Sequence, residues 1–452
     1  MTKTINRLIL IFTVSFVSTN CLSEIHFDKM KLDIETLASD KMQGRKVFTP
    51  AIDKAASYIE KRFKEIGLKP YNKNLTYKQN FSIHQVFQNS SSVILNGKAI
   101  DKSFYTTRTF QTSVSLSKKT DFQIKTVSEK DDFRKSVEEA NHSNRNTLLL
   151  VNPKHQPIFR RYQSYFDRPS NRFEINEGPS LVIVITEKTE VKEIQVQIKN
   201  SVKTQRLTNV VGVLKANSNK ISDEQTKNII YSAHYDHLGT KELDSKLADD
   251  QTKQPDLIFN GADDDASGVT AVINLASHFA NVKNRQRDLI FVAFTAEEIG
   301  GFGSQYFSKT INANSIIAMI NIEMIGKPSK FGAGEFWMTG FERSNLAEIL
   351  QKELDKKQQK LYADPYPKQQ LFYRSDNATL ARLGVPAHSF SSDQIDTDPH
   401  YHKESDEVES LNLDSMHKII EKIATATKPL VISSIKPTRL DTSKIKKNGF
   451  YF

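Results

Sequence analysis

A chain of 452 residues is longer than one hydrophobic core usually organises, so one large domain carrying a smaller inserted or appended one is expected. With 38% hydrophobic and 26% charged residues, 17 Gly and 14 Pro, the composition excludes a disordered, fibrous or membrane-embedded chain. A formal net charge of +10 would suit a nucleic-acid or anionic-surface partner, but the lysines are scattered, their strongest cluster runs from Lys436 to Lys447, and no nucleic-acid-binding motif accompanies them; no nucleic-acid partner is expected.

At the start, Lys3 and Arg7 precede an apolar stretch from Leu8 to Val17, followed by small polar residues up to Ser23. This reads as a secretory signal peptide over 1–23, too short to span a bilayer, and predicts export to a periplasmic or extracellular location with no spanning segment afterwards. The only cysteine, Cys21, lies in this stretch, so no disulfide framework is possible. Cys21 is also where a lipid anchor would attach, although Ser18, Thr19 and Asn20 fit a bacterial lipobox poorly.

From Pro50 to Gly67, Ile52, Ala55, Ala56, Ile59, Phe63 and Ile66 recur at helical spacing with Gly67 as a stop, which predicts an amphipathic helix. Between about Tyr77 and Leu207, short apolar runs such as TLLLVN and LVIVIT alternate with polar stretches and predict a β-rich or mixed inserted lobe. After Leu207 come almost uniformly apolar runs, NVVGVL at Asn209, NIIYSA at Asn228, LIFVAF at Leu289 and IIAMINI at Ile316. Strands apolar on both faces belong in a parallel sheet covered by helices. Helical patterns alternate with them, one through Val269, Val272, Ile273, Ala276 and Phe279, one through Leu346, Ile349, Leu350 and Leu354, one through Met416, Ile419, Ile420 and Ile423. The fold class expected is α/β, an open, mainly parallel sheet flanked by helices, whose ligands bind beyond the carboxyl ends of the strands. The expected domains are a main domain over 24–76 and 208–435, the inserted lobe over 77–207 and a basic tail over 436–452.

Those strand ends are rich in metal-binding side chains. His234, Asp236 and His237 follow the second run, Asp263, Asp264 and Asp265 lie in GADDDASG, Glu297 and Glu298 follow the third run, Glu323 follows the fourth, and DPHYHKESDE supplies His400, Tyr401 and His402. Imidazole and carboxylate donors without thiolate suit zinc. Two metals sharing a carboxylate can bridge a water, lower its pKa and polarise a carbonyl.

The strings AHYD, GADDDASG, FTAEE, NIEMIG and YHKESDE, in this order, resemble the successive motifs of the M28 metallopeptidases of the aminopeptidase Y/S type, and the segment from Leu37 to Pro70 is similar to that family's N-terminal helix region. The resemblance implies a mixed, mainly parallel zinc-exopeptidase (phosphorylase/hydrolase-like) fold, with a protease-associated or lid-like lobe in the middle segment. It implies two zinc ions held by His234, Asp264, Glu298, Glu323 and His402. Asp264 would bridge them, standing three positions before Ser267 as the family's bridging residue does. Glu298 and His402 would complete the site of the first zinc, with His234, and Glu323 that of the second. Glu297 would be the general base, Asp236 would hold the His234 ring through its free N–H, and Tyr401 would stabilise the oxyanion. Many members carry Asp where this chain has Glu323, whose extra methylene moves the carboxylate by roughly 1.5 Å; a one-zinc protein stays open on this ground.

Among the other polar residues, His237 and His388 read as structural histidines, His400 as the weaker rival of His402, and Asp263 and Asp265 as helix-capping or solvated loop residues. The function expected is an exported aminopeptidase acting on peptides with a free N-terminus. The alternatives are a glutaminyl-cyclase-like or carboxypeptidase-type enzyme on the same scaffold, or a binding ectodomain, which would lack a ligand or the base.

Overall fold

The structure, a computed structural model, describes residues 24–71, 75–175, 178–218, 227–241 and 256–446. The expected signal peptide with Cys21, and the last six residues of the basic tail, lie outside them. Among the described residues no helix is long and apolar enough to cross a membrane.

The apolar runs become neighbouring strands. Ala387–Ser391, Ile316–Ile322, Asn228–His234 and Asp288–Phe294 lie side by side in that order, all parallel. Alternate residues of each strand serve opposite faces. Tyr231, Phe291 and Ile320 join the core under the helices Phe27–Leu37, Pro50–Ile66, Gly268–Ala280 and Leu413–Ile432, while Ile230, Ile290 and Met319 join the core on the other side. Both faces are therefore dry, which is why the strands read as unbroken apolar runs. The helix expected over 50–67 is Pro50–Ile66, ended by Gly67 in the left-handed conformation (φ 87°).

One run behaves differently from its expectation. NVVGVL is the far end of a 21-residue strand, Ile194–Leu214, which pairs antiparallel with Asp288–Phe294 through Val210 and Ala293. A strand buried on both faces has the same apolar signature in either direction, so composition did not reveal its orientation.

That strand and Lys78–Leu95 form a long antiparallel ribbon leading out of the main sheet. It carries a second, four-stranded sheet, in which Gln123–Val127, Thr147–Val151 and Leu181–Ile185 are parallel and Tyr105–Arg108 is antiparallel to the last. One face of this sheet packs on the ribbon through Val184, Ile194 and Val196, the other on the helices Phe133–Asn141 and Gln156–Phe166 through Phe133 and Phe159. At the ribbon's root Phe81 stacks on Tyr306 at 4.5 Å between centroids, and Phe173 packs on Phe302. The lobe is thereby pinned beside the loop that carries Glu297.

The segment expected as a separate basic tail packs against the main domain as far as residue 446. Leu440 and Ile445 are buried in its second core, and the Arg439 guanidinium donates to the carbonyls of Ala313, Ile316 and Leu383. Two apolar residues five apart in a lysine-rich stretch were too sparse a pattern to signal this.

Candidate metal centre

The carboxyl ends of the parallel strands point to one place. His234 ends its strand, Glu323 directly follows Ile316–Ile322, and Glu297 and Glu298 come three and four residues after Phe294. The loop 261–267 drops in from the side. Gly261 has φ 56°, and a Cβ there would lie 2.3 Å from the Asp264 carbonyl oxygen and 2.5 Å from the His237 ring, so the loop closes over that ring only with glycine.

The His234 Nδ1–H donates to the main-chain carbonyl of Asp236 at 3.1 Å, leaving Nε2 to face Asp264 Oδ1 at 3.2 Å and Glu323 Oε1 at 3.1 Å. On the other side of Asp264, Oδ2 lies 3.3 Å from His402 Nε2, which is 3.4 Å from Glu298 Oε2. Two donor groups thus share Asp264, one oxygen each. Donors about 2.0–2.1 Å from a tetrahedral zinc are about 3.3 Å from one another, so both groups have the span such an ion needs.

The electrostatics also call for a cation. Burial pushes the His234 pKa down, yet Glu323, Glu297 and Asp264 hold it well above its ordinary value; Asp264 is buried too, but His237, His234 and His402 hold it well below the carboxylate range. The proton affinities of His234 and His402 are raised by the carboxylates around them, a charge balance that a divalent ion would also supply.

Several expectations are corrected here. The donor groups divide differently from the family-based pairing, because Glu323 sits with His234, while Glu298 and His402 sit together across Asp264. Asp236 does not hold the His234 ring with its side chain, whose oxygen is 3.9 Å away. Its carboxylate instead accepts the backbone N–H groups of Glu297 and Glu298, at 3.1 and 3.3 Å, and so sets the turn that presents both glutamates. Asp263 and Asp265 are fully buried rather than solvated. Asp265 accepts from the N–H groups of Gly268, His234 and Met324, and Asp263 from that of Gly326, tying three ligand-bearing loops together.

His237 enters the cluster: its Nδ1 lies 2.6 Å from Glu298 Oε1, and its buried Nε2 has no hydrogen-bond partner among the described residues. The 2.6 Å separation is that of a hydrogen bond that aims Glu298, shorter than the spacing of two ligands on one ion. His400 turns away to Ser405, and the buried His388 bonds the Thr339 carbonyl, its pKa pushed down to about 4 by burial.

Glu297 is buried beside both donor groups and belongs to neither. Burial, with Glu323 and Asp376 nearby, raises its pKa well above the carboxylate range against the pull of His234. Tyr401 stacks on His402 at 4.0 Å between ring centroids, and burial keeps its hydroxyl protonated. A pocket walled by Met324, Trp337, Leu371 and Ile395 opens onto these groups.

Three residues that the motif reading did not assign hold the site together. Asp406 accepts from the N–H groups of Asp263 and Asp264, and Lys327 neutralises Asp398, Asp263 and Asp406 from 2.7 to 3.7 Å. Arg45 binds the loops from behind. Asp406 lies in the quoted YHKESDE string, but a lone acidic residue after a histidine carries no signal of its own.

Asp393 beside this network gives a pH-dependent prediction. Burial, then Asp263 and Asp398, push its pKa up to about 8 against the pull of Lys327. The unfolded chain releases this proton near pH 4, the folded one only near 8, so stability falls as pH rises across that window. Asp393→Asn should remove this residue's share of the slope. Urea denaturation should find the variant gaining about 2–3 kcal/mol on the wild type between pH 5 and pH 8; parallel profiles would contradict this.

Residues 209–427 match the model of peptidase family M28. A probable zinc metalloprotease of Pyrenophora tritici-repentis is 33% identical over 122 residues, covering 26% of this chain and 24% of that protein, and one of Pyrenophora teres is 34% identical over 122 residues, covering 26% and 23%. The match thus spans about a quarter of the length of these relatives. Among solved structures, the aminopeptidase from Aneurinibacillus sp. strain AM-1 superposes with a TM-score of 0.56 at 17% identity, covering 95% of this chain and 98% of that one. A zinc aminopeptidase from Bacillus subtilis gives 0.54 at 16% identity, covering 94% and 98%. The chain thus shares the fold of these two solved structures, and its residues 209–427 are similar to peptidase family M28.

Proposed function

We propose that this protein is an exported, zinc-dependent aminopeptidase that hydrolyses the N-terminal peptide bond of peptides. The observation that carries the reading is the pair of donor groups sharing Asp264, with the buried Glu297 beside both and bonded into neither. His234, Asp264 and Glu323 would hold one zinc, and Asp264, Glu298 and His402 the other. When bound, such a pair acidifies a water and polarises the scissile carbonyl.

The chain's own residues do the rest. Glu297, with a raised proton affinity, takes the proton of the attacking water and delivers it to the leaving amine. The Tyr401 hydroxyl donates to the developing oxyanion. Asp236 fixes Glu297 through the backbone, and the carboxylates around the donor groups receive the free α-amine. The pocket under Trp337 takes the first side chain. The lobe over 77–207, lid-like beside the cleft, limits substrate size. Export rests on the charged and apolar stretch before Ser23.

The test is chromophore release from a panel of aminoacyl-anilides, with and without chelator, beside an N-acetylated control. Zinc-restorable cleavage of only the free-amine substrates is the expected result; a folded, zinc-loaded protein that cleaves none of them would sink the reading.

Two variants separate ligand from support. His402→Ala should lower the bound zinc from two equivalents towards one by elemental analysis. His237→Ala should keep the stoichiometry and weaken affinity about 10- to 100-fold, as loss of a group that orients a ligand does. The reverse pattern would make His237 the ligand.

A further inference from the structure

A second cavity of about 960 Å³ opens beside the metal centre, between the lobe and the helix Phe302–Thr310. Glu298 lines both spaces. Among the described residues, the walls of the second carry five cations, Arg108, Arg168 and Arg172 from the lobe and Lys309 and Arg382 from the main domain, and one acidic residue, Glu298. That carboxylate faces His237 and His402.

Three of these cations are held against aromatic rings. Arg172 lies 3.6 Å from the centroid of Phe110, Arg108 5.0 Å from that of Phe166, and Lys309 4.2 Å from that of Phe173. Among the described residues, no carboxylate contributes to the charge environment of Arg108 or Arg172, and the Nε of Arg172 is buried without a hydrogen-bond partner. Burial, followed by the neighbouring Arg108, pulls the Arg172 pKa down to about 10. Half-buried guanidiniums that repel one another are a standing cost, which an anion with planar, forked acceptors relieves.

We propose that this cleft binds carboxylates of the substrate downstream of the cleaved bond, so that the enzyme selects short acidic peptides, anchored by their N-terminus at the metal centre and by acidic side chains or the terminal carboxylate between Arg108, Arg172 and Lys309. The location rests on the aminopeptidase reading, because a peptide with its scissile bond at Glu297 passes Glu298 to reach the cleft. The binding chemistry does not depend on turnover.

The experiment follows a fluorescent, N-acetylated tetrapeptide with three glutamates by anisotropy on the full chain, beside its glutamine counterpart and versions with free and amidated C-termini. The acidic peptide should bind, weaken with added salt, and lose roughly tenfold or more in affinity in the double variant Arg168→Ser/Lys309→Gln, whose two residues are exposed and leave the cores intact. Arg172→Gln should do the same. In turnover, KM for Ala-Glu-Glu should rise by a similar factor in these variants, while an alanyl-anilide, which has nothing to place in the cleft, is cleaved as before.

Loss of binding on amidation assigns the terminal carboxylate, and loss on the glutamine exchange assigns the side chains. Equal binding of all the peptides, or binding of polyphosphate or nucleic acid in place of acidic peptide, would overturn the proposal. The anilide reports separately on the aminopeptidase reading: its cleavage with no acidic preference leaves that reading standing while the cleft proposal falls.

Discussion

Glu297→Gln should retain both zinc ions and lose turnover by about 10²- to 10⁴-fold, the range general acid–base catalysis contributes. Glutamine keeps the size of the side chain and removes its capacity to take and return a proton. The two donor groups are formed without the Glu297 carboxylate, by His234, Asp264 and Glu323 and by Asp264, Glu298 and His402, and the Glu297 main chain is held by Asp236. The loss should therefore fall on kcat, with zinc content by elemental analysis unchanged. Full activity in the variant would remove Glu297 from the reaction, and a drop in bound metal would make it a ligand instead.

The same arrangement separates Glu297 from Glu298, adjacent in sequence and different in role. At a strand end successive side chains diverge, and the Asp236 carboxylate, by accepting both N–H groups, fixes which of the two faces His402 and which stays apart. Asp236→Ala should thus disturb both base and ligand although its side chain touches neither. The pKa of Asp236, raised by burial to about 6, marks it as a carboxylate held for its hydrogen bonds.

The strands and the ligand-bearing residues after them were legible in the sequence because a parallel sheet demands two apolar faces, so a polar residue directly after such a run must stand at the sheet's carboxyl edge. The clusters containing His234, Glu298 and Glu323 stood out on that ground, and the choice of His234, Asp264, Glu298, Glu323 and His402 as expected metal ligands came from the family resemblance. Which ligands share an ion was not legible, because it depends on which oxygen of Asp264 faces which histidine. Nor was the placement of His237, which a reading of spacing makes one more polar residue after a strand. Glu323 shows how a local departure is absorbed: its longer side chain still reaches His234 at 3.1 Å, while Ser375, 52 residues on, donates to its other oxygen at 2.5 Å. The basic cleft was hidden for a related reason, since Arg108, Arg172 and Lys309 are brought together only by the ribbon that carries the lobe.

Arg45→Leu should destabilise the protein by about 3–5 kcal/mol and cost it zinc. Arg45 is completely buried, and its guanidinium donates to the carbonyls of Tyr235, Leu37, Asn260 and Gly261 at 2.5 to 2.9 Å. Two of those carbonyls flank the loop of Asp264 and one adjoins His234, so one side chain clamps both ligand loops to the N-terminal segment. Gly44 before it has φ 62°, and a Cβ there would lie 2.4 Å from the Phe259 carbonyl oxygen; the turn that aims Arg45 inward tolerates no larger residue. Burial lowers the pKa of Arg45, while Asp264, Asp406, Asp236 and Asp265 support its charge, so the cation also offsets the acidic cluster above it. Leucine would fill much of the volume and take a donor away from four interior carbonyls, of which that of Gly261 keeps the Ala266 N–H. Arg45→Lys should not rescue the variant, because one ammonium cannot span acceptors arranged around a planar fork. Urea denaturation and zinc analysis of both variants would test this: lysine restoring both stability and metal would show that the charge, and not the clamp on the loops, is what the site needs.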